Sequence, residues 1–368
     1  MFRYNIIYNA IRKDILDGVY GYNTLIPSEN RMSREFGVER ATVRKALELL
    51  VEDGLIEKCP GIGSKVIYKE NGGADTTAAA QPRDLMGFFI LDSANEEKKI
   101  TEPYYADLFY FCERECQARN CQLIYISVDQ DTDILGILNK YNFMAAFFVT
   151  RMPEGILEKA RMSNTPIILV NEQRENMVSI FCDHEMCATL ALKHFAEMGH
   201  VRIAAIAGPK GFLASDLRLR SCYASIHSLP IDLRPEWIVR GDWTYSGGYE
   251  ATKQIFPERA AYDPQKQPTA VYVFNDMMAL GVLRALDDLG YAVPGDISVI
   301  GTDNMAQLKY TVPDLTTIDG STEYLARVII DSAYKNAFGI YDRGCSLRVP
   351  VQLIKRKTVR DLKEQEEQ

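Results

Sequence analysis

No apolar run in this chain of 368 residues approaches the length of a membrane span, and the N-terminus turns directly into an amphipathic pattern with no export leader in front of it. Both absences point to a cytoplasmic protein with no membrane role. Also missing are a G-x-G-x-x-G turn after a strand, a G-x-S-x-G elbow and a P-loop, the devices that dinucleotide binding, serine nucleophiles and phosphate cradling rely on. An enzyme is therefore not expected. The eight cysteines, at 59, 112, 116, 121, 182, 187, 222 and 345, include no C-x-x-C knuckle. Cys112, Cys116 and Cys121 are far in sequence from all four histidines, and Cys112 and Cys116 fall in a helical pattern with Leu108, Phe109 and Phe111. They read as small buried hydrophobes, and no metal or cofactor is expected.

What is present divides unevenly. The net charge is −8, yet residues 1–70 hold 11 Lys+Arg and 10 Asp+Glu, which gives 11 − 10 = +1 and leaves −8 − 1 = −9 for the rest. A hydrophobic content of 47% is ordinary for soluble globular proteins, and the length suits more than one domain. An acidic remainder weakens nonspecific attraction to any polyanion, so a polyanion-binding surface in the near-neutral part would need two copies held together.

Residues 27–63 carry the strongest local signals. Ser28 can cap a short helix, Met32 and Phe36 share one face of it, and Gly37 stops it. A second helical pattern runs to Glu52, with Val43, Ala46, Leu47, Leu50 and Val51 inside and Arg40, Arg44 and Lys45 outside, closed by Asp53-Gly54. Cations at the start of a helix that can enter a major groove meet phosphates and guanine edges together. Leu55–Lys58 and Lys65–Tyr68 read as short strands around a glycine-bearing turn from Cys59 to Gly63, and Tyr4, Ile7, Ile11 and Ile15 give an upstream covering helix. This is a winged helix-turn-helix pattern. A merely solvated basic helix face would not also carry matched cap, turn and wing signals.

Residues 4–68 resemble the gluconate-repressor (GntR) family, whose shared wording is close to "LPSE-R-L---FGVSR-TVRKAL--L--EGLI---PG-GT-V". The similarity implies DNA contacts from Arg31, Arg40, Thr42 and Arg44, with Gly61 and Gly63 at the wing tip. Cys59 and Ile62 stand where that family usually has basic residues, which leaves Lys65 as the wing's phosphate contact.

Small and polar residues with no apolar periodicity follow, and they set the expected organisation: a reader at 1–70, a flexible linker at 71–83 and a second, larger domain at 84–368, the effector-binding and dimerisation domain by the resemblance given below. From Leu85 onward short apolar strands alternate with amphipathic helices. Strands are expected at 85–91, 122–128, 145–149, 167–170, 202–207, 270–274 and 297–300. Such alternation indicates α/β architecture, doubly wound parallel sheets in two lobes. Ligands of open α/β sheets sit beyond the carboxyl ends of strands, which singles out Asp92, Asn171, the segment from Pro209, Asn275 and Asp303. Asp183-His184-Glu185 reads as a surface or capping cluster.

A second resemblance lies at those strand ends. Gly199-His200-Val201-Arg202-Ile203 with Ala207-Gly208-Pro209, Gly241-Asp242-Trp243, Asn275-Asp276-Met277-Met278-Ala279-Leu280-Gly281, Val293-Pro294-Gly295-Asp296 through Asp303, and Pro313-Asp314-Leu315-Thr316-Thr317 are similar to the periplasmic-binding-protein-like effector domain of the lactose/galactose-repressor family. The similarity covers about residues 85–355, so the whole chain resembles the arabinose-repressor type of hybrid. It implies effector contacts from Trp243, Asn275 and Asp303, and from Tyr105 in Pro103-Tyr104-Tyr105. A carboxylate and an amide suit vicinal hydroxyls, and an indole suits a sugar's C–H face. Packing for Trp243, helix capping for Asn275 and turn capping for Asp303 are the alternative readings. The family's effector arginine corresponds to Arg218 or Arg220, which point in different directions on a helix. The resemblance implies a homodimeric repressor on palindromic operator DNA, released by a small carbohydrate such as L-arabinose. A sugar receptor or a sugar-metabolising enzyme is the competing class.

Overall fold

The structure is a computed structural model that describes residues 3–16, 19–59, 63–68, 85–92, 98–337 and 344–363. The chain divides into two compact units between Asp84 and Leu85. The expected linker at 71–83 lies outside the described residues. No helix among them is long and apolar enough to cross a membrane.

The first unit holds helices α1 (Arg3–Leu16), α2 (Glu29–Glu35) and α3 (Arg40–Glu52) and the hairpin β1 (Ile56–Cys59) with β2 (Gly63–Val66). Ile7, Ile11 and Ile15, one turn apart on α1, are buried with Met32, Val43, Ala46, Leu47, Leu50 and Val66, so the helical periodicity read from the sequence is the core stripe. Gly37 closes α2 and Gly54 follows α3, both with positive φ (61° and 67°), where a β-carbon would be strained. The wing is tighter than the sequence implied. Cys59 pairs directly with Gly63 and Ile56 with Val66, so β2 begins two residues before the expected Lys65. Gly63, the first residue of β2, has a φ of 129° that residues with a β-carbon rarely adopt.

In the second unit two six-stranded sheets form two lobes. Lobe 1 contains β3 (Leu85–Leu91), α4 (Pro103–Gln117), β4 (Gln122–Val128), α5 (Ile134–Tyr141), β5 (Ala145–Val149), α6 (Glu154–Arg161), β6 (Ile167–Val170) and β7 (Val178–Cys182). Lobe 2 contains α7 (His184–Glu197), β8 (Ile203–Ala207), α8 (Leu213–Ser225), β9 (Ile238–Arg240), α9 (Tyr245–Ile255), β10 (Ala270–Val273), α10 (Asp276–Asp288), β11 (Ser298–Thr302) and β12 (Thr316–Asp319). Helix α11 (Thr322–Ala337) and β13 (Ser346–Val349) then return to lobe 1, and β14 (Gln352–Ile354) ends in lobe 2. Every strand pairing in the two sheets is parallel except β12 with β14.

Parallel strands covered on both faces should be apolar, as β3, β5, β6 and β8 are. On β3 and β5, Phe88 and Phe147 face the α4/α11 side while Phe89 and Phe148 face the α5/α6 side, the two-residue alternation of a strand. Cys112 and Cys116 are buried in α4 as part of the first of these layers. The chain passes between lobes three times, and the crossings touch. Asp183 N–H donates to the Val349 carbonyl at 2.8 Å, and the Cys182 thiol donates to the Gly320 carbonyl at 3.3 Å. Short adjacent crossings of this kind make a hinge, and they aim the carboxyl ends of both sheets at one cleft.

Candidate nucleic-acid interface and effector cleft

In the first unit Ser28 caps α2, its hydroxyl accepting the Arg31 N–H at 3.4 Å. Arg31 lies outward with its guanidinium 2.8 Å from Glu35. Arg40 and Arg44 stand one turn apart at the start of α3, and Glu29 of α2 reaches both, at 3.5 Å and 3.1 Å. The Arg44 bond, with Arg40's beside it, holds the Glu29 carboxyl below its usual range against a smaller effect of burial. Thr42 is half-buried on the same helix. On the wing Lys65 lies opposite Glu57 with its ammonium 3.8 Å from that carboxylate, and Gly63 has open space around it. Gly61 is outside the described residues.

In the second unit the expected effector residues divide into occupied and unoccupied groups. Asp92, at the end of β3, accepts from Tyr125, Ser127 and the Lys99 N–H at 2.8, 2.6 and 3.0 Å, and these bonds lower its pKa against the effect of burial. Asn275 caps α10 by accepting the Met278 N–H at 3.0 Å and donates to the Trp243 carbonyl at 2.9 Å. Its amide therefore sets where Trp243 sits. The Trp243 indole lies flat over Gly208, where a β-carbon would strike the ring, and edge-on to Phe212 at 6.3 Å.

Arg218 and Arg220, two residues apart, have opposite fates. Arg220 is exposed and paired with Glu185 at 2.7 Å. Arg218 is buried, donating to the Phe274 carbonyl and, at 3.5 Å, to His184 Nδ1. Burial opposes its charge, but Cys187, Tyr272, Asp303 and Cys182 around it raise its pKa. Asp303, after β11, is pushed up to about 8, first by burial and then by Asp276, while Arg218 pulls the other way. Across the cleft, Tyr104 and Tyr105 of lobe 1 are raised chiefly by burial, with the Asp303 charge contributing to both. The Arg151 guanidinium of lobe 1 lies against Gly211 of lobe 2.

Two structural signals single out this cleft. Outside asparagine, the described non-glycine residues with positive φ are Thr150, Trp243, Asp303 and Ser321. Three of them end strands that face the cleft and the fourth lies in the hinge. A threonine at φ 87° is strained, and strain of this kind collects at functional sites. The second signal is unsatisfied polarity. Of nine buried side-chain polar atoms without a hydrogen-bond partner among the described residues, five are Thr150 Oγ1, Asn171 Oδ1, Glu172 Oε2, His184 Nε2 and Arg218 Nε, all beside the cleft or its hinge. Such atoms cost about 1–3 kcal/mol each unless something else satisfies them. Their chemistry is mixed. Arginine only donates, so His184 Nδ1 accepts from it and His184 Nε2 carries the proton. Burial, with Arg218 and Arg348 nearby, keeps that ring neutral. Asn171 Oδ1 and Glu172 Oε2 accept, the Asn171 Nδ2 being already donated to Tyr104 at 2.7 Å.

Thr150, Glu172 and His184 were not singled out from the sequence. The strand-end rule that indicates Asn171 equally indicates Thr150, which follows Val149 at the end of β5. His184 was grouped with Asp183 and Glu185 as surface or cap. Asp183 does cap α7, accepting the Met186 N–H at 3.1 Å, and Glu185 is on the surface, but His184 between them is 3% exposed because it stacks on Phe181 and meets Arg218.

Comparison with known proteins fits this geometry. Residues 3–66 match the model of bacterial regulatory proteins of the gntR family, and residues 192–359 that of the periplasmic binding protein-like domain. The HTH-type transcriptional repressor PurR of Photorhabdus laumondii is 28% identical over 270 residues, 70% of this chain and 77% of that one. PurR of Edwardsiella ictaluri is 28% identical over 321 residues, covering 81% and 92%. The lactose operon repressor of Escherichia coli is 32% identical over 206 residues, covering 56% and 55%. In fold, the chain is similar to the lac repressor dimer bound to operator and the anti-inducer ONPF, with TM-score 0.64 and 23% identity over 77% of this chain and 96% of that one. It is also similar to the CelR–cellobiose complex, with TM-score 0.66 and 19% identity over 90% and 100%. The chain thus carries a GntR-family DNA-binding domain at its N-terminus and a periplasmic-binding-protein-like effector domain of the lactose/galactose-repressor type, the make-up of a DNA-binding transcriptional repressor.

Proposed function

We propose that the protein is a cytoplasmic, homodimeric, non-enzymatic repressor of carbohydrate-utilisation genes whose cleft takes a small neutral sugar, with residues 71–83 as the tether between reader and core. The observation that carries the ligand class is the set of unsatisfied donors and acceptors at Thr150, Asn171, Glu172, His184 and Arg218. Each sugar hydroxyl donates once and accepts, so a polyol satisfies such a mixed set where an ion of either sign would leave half of it unpaired. Asp303 and Arg218 form the polar wall, and the Trp243 indole offers a face for ring C–H groups. Asn275 acts through Trp243, and Arg220 stays outside the site. L-arabinose is the first candidate, from the resemblance to arabinose-repressor hybrids.

Two heads on a palindrome multiply a weak single-head affinity. The sugar releases the operator provided it binds a closed form of the cleft better than the DNA-competent form. The test is calorimetric titration of pentoses and hexoses into the full-length protein, paired with a gel shift on DNA upstream of its own gene. One sugar should give saturable heat and release the retarded DNA. Retarded DNA that no sugar releases, or a sugar turned over during the titration, overturns the reading.

A further inference from the structure

An anion from α2 stands against the reading face of α3. Glu29 is the first residue of α2, fixed there by the Ser28 cap and favoured as a carboxylate by the helix start. It is less exposed than the arginines it meets: its side chain is 26% exposed, against 58% for Arg40 and 54% for Arg44. The contact with Arg44 is side-on, with Nε 3.5 Å from Oε1 and Nη2 3.1 Å from Oε2. Nε and Nη2 are thus turned toward α2, which leaves Nη1 and the second Nη2 proton as an end-on fork, the pair of donors that fits guanine O6 and N7. The same carboxylate lies 3.5 Å from Arg40 Nη2.

We propose that Glu29 is a specificity-determining positioning residue of the DNA reader. It holds Arg40 and Arg44 in the base-reading pose, and its charge suppresses binding to DNA that offers phosphates alone. On noncognate duplex, phosphates must draw two guanidiniums away from a carboxylate and approach that carboxylate themselves, so electrostatic affinity is reduced. On cognate duplex the end-on fork meets base edges while the Glu29 contacts persist, and nothing is lost. The inference rests on the DNA-reading function proposed above.

The test uses full-length protein. A cognate sequence is selected from a random duplex library with the wild type, and anisotropy then gives the affinities of wild type and Glu29→Gln for that duplex and for one mixed-sequence duplex across a salt series. Glu29→Gln should bind the mixed-sequence duplex several-fold more tightly with a steeper salt dependence, and the cognate-to-mixed ratio should fall about tenfold, the scale of one base contact. Damage to the fold would weaken both affinities and cannot produce that gain. Glu29→Asp, which keeps the charge but is one methylene too short to span both guanidiniums, should lose discrimination without the gain, and it carries the test if the glutamine variant does not fold. An unchanged ratio in either folded variant overturns the proposal. A wild type that enriches no sequence overturns the DNA-reading function itself, and this inference with it.

Discussion

The reader and the cleft handle charge in opposite ways. In the reader Arg31, Arg40 and Arg44 are exposed, and each rests on a glutamate of its own unit. In the cleft Arg218, His184 and Glu172 are nearly inaccessible and each retains a polar atom with no partner. Exposed ion pairs contribute about 0–1 kcal/mol, so these arginines keep donors free for DNA while their glutamates orient them. Buried unpaired groups are costly, and their clustering is stronger evidence for a ligand than an array of surface cations. The reader is thus made of residues that hold partners and keep donors to spare, and the cleft of residues still lacking partners.

The sharpest way to break that contrast is Arg218→Met, which keeps bulk and removes the buried guanidinium. Sugar affinity should fall at least about a hundredfold, or ~3 kcal/mol, as expected for losing charged hydrogen bonds in a dry site, while operator affinity in the absence of sugar is kept. Calorimetry and gel shift on the same preparation check both halves. Arg44→Ala is the mirror experiment: operator binding should weaken by roughly ten- to a hundredfold, in line with ~1–3 kcal/mol per base contact. Its sugar titration should superimpose on that of the parent, and a changed sugar affinity would mean that reader and cleft are not separable.

Asp303→Asn should lower sugar affinity about tenfold or more, and it has a pH signature. The Asp303 pKa is raised by burial from 3.8 to about 8, so between those values the folded protein holds a proton that the unfolded chain has released. Wild-type stability therefore declines as pH rises through that window. The stability difference between wild type and Asp303→Asn should then move against the wild type between pH 5 and pH 8 in urea unfolding. A difference independent of pH would show that the carboxyl is not held in its protonated form. The smallest effect is expected for Arg220→Ala. Loss of the exposed Glu185 pair should cost about 0.5 kcal/mol or less and leave sugar affinity unaltered, whereas any large loss would put Arg220 in the site in place of Arg218.

How much of this was legible depended on burial. Strands covered on both faces, such as Leu85–Leu91 and Ala145–Val149, show as continuous apolar runs and were placed to the residue. The mixed strands β9, β12, β13 and β14 have no such run. β13 and β14 are also completed by residues that return from the far end of the chain, a relation that local pattern does not encode. Spacing alone showed that Arg218 and Arg220 diverge but not which turns inward. That is decided by contact with Phe274 and His184, residues remote in sequence. For a related reason, the Pro27-Ser28-Glu29 signature is legible but not that Glu29 reaches Arg40 and Arg44, which the fold brings against it.

Sugar binding in the cleft and operator binding in the reader should be thermodynamically linked, and linkage demands reciprocity. Operator affinity should be measured with and without saturating sugar, and sugar affinity with and without saturating operator, on one full-length preparation at fixed salt. The sugar should weaken operator binding by about tenfold or more, and the operator should weaken sugar binding by the same factor. Two tight but mutually indifferent binding events would contradict that linkage.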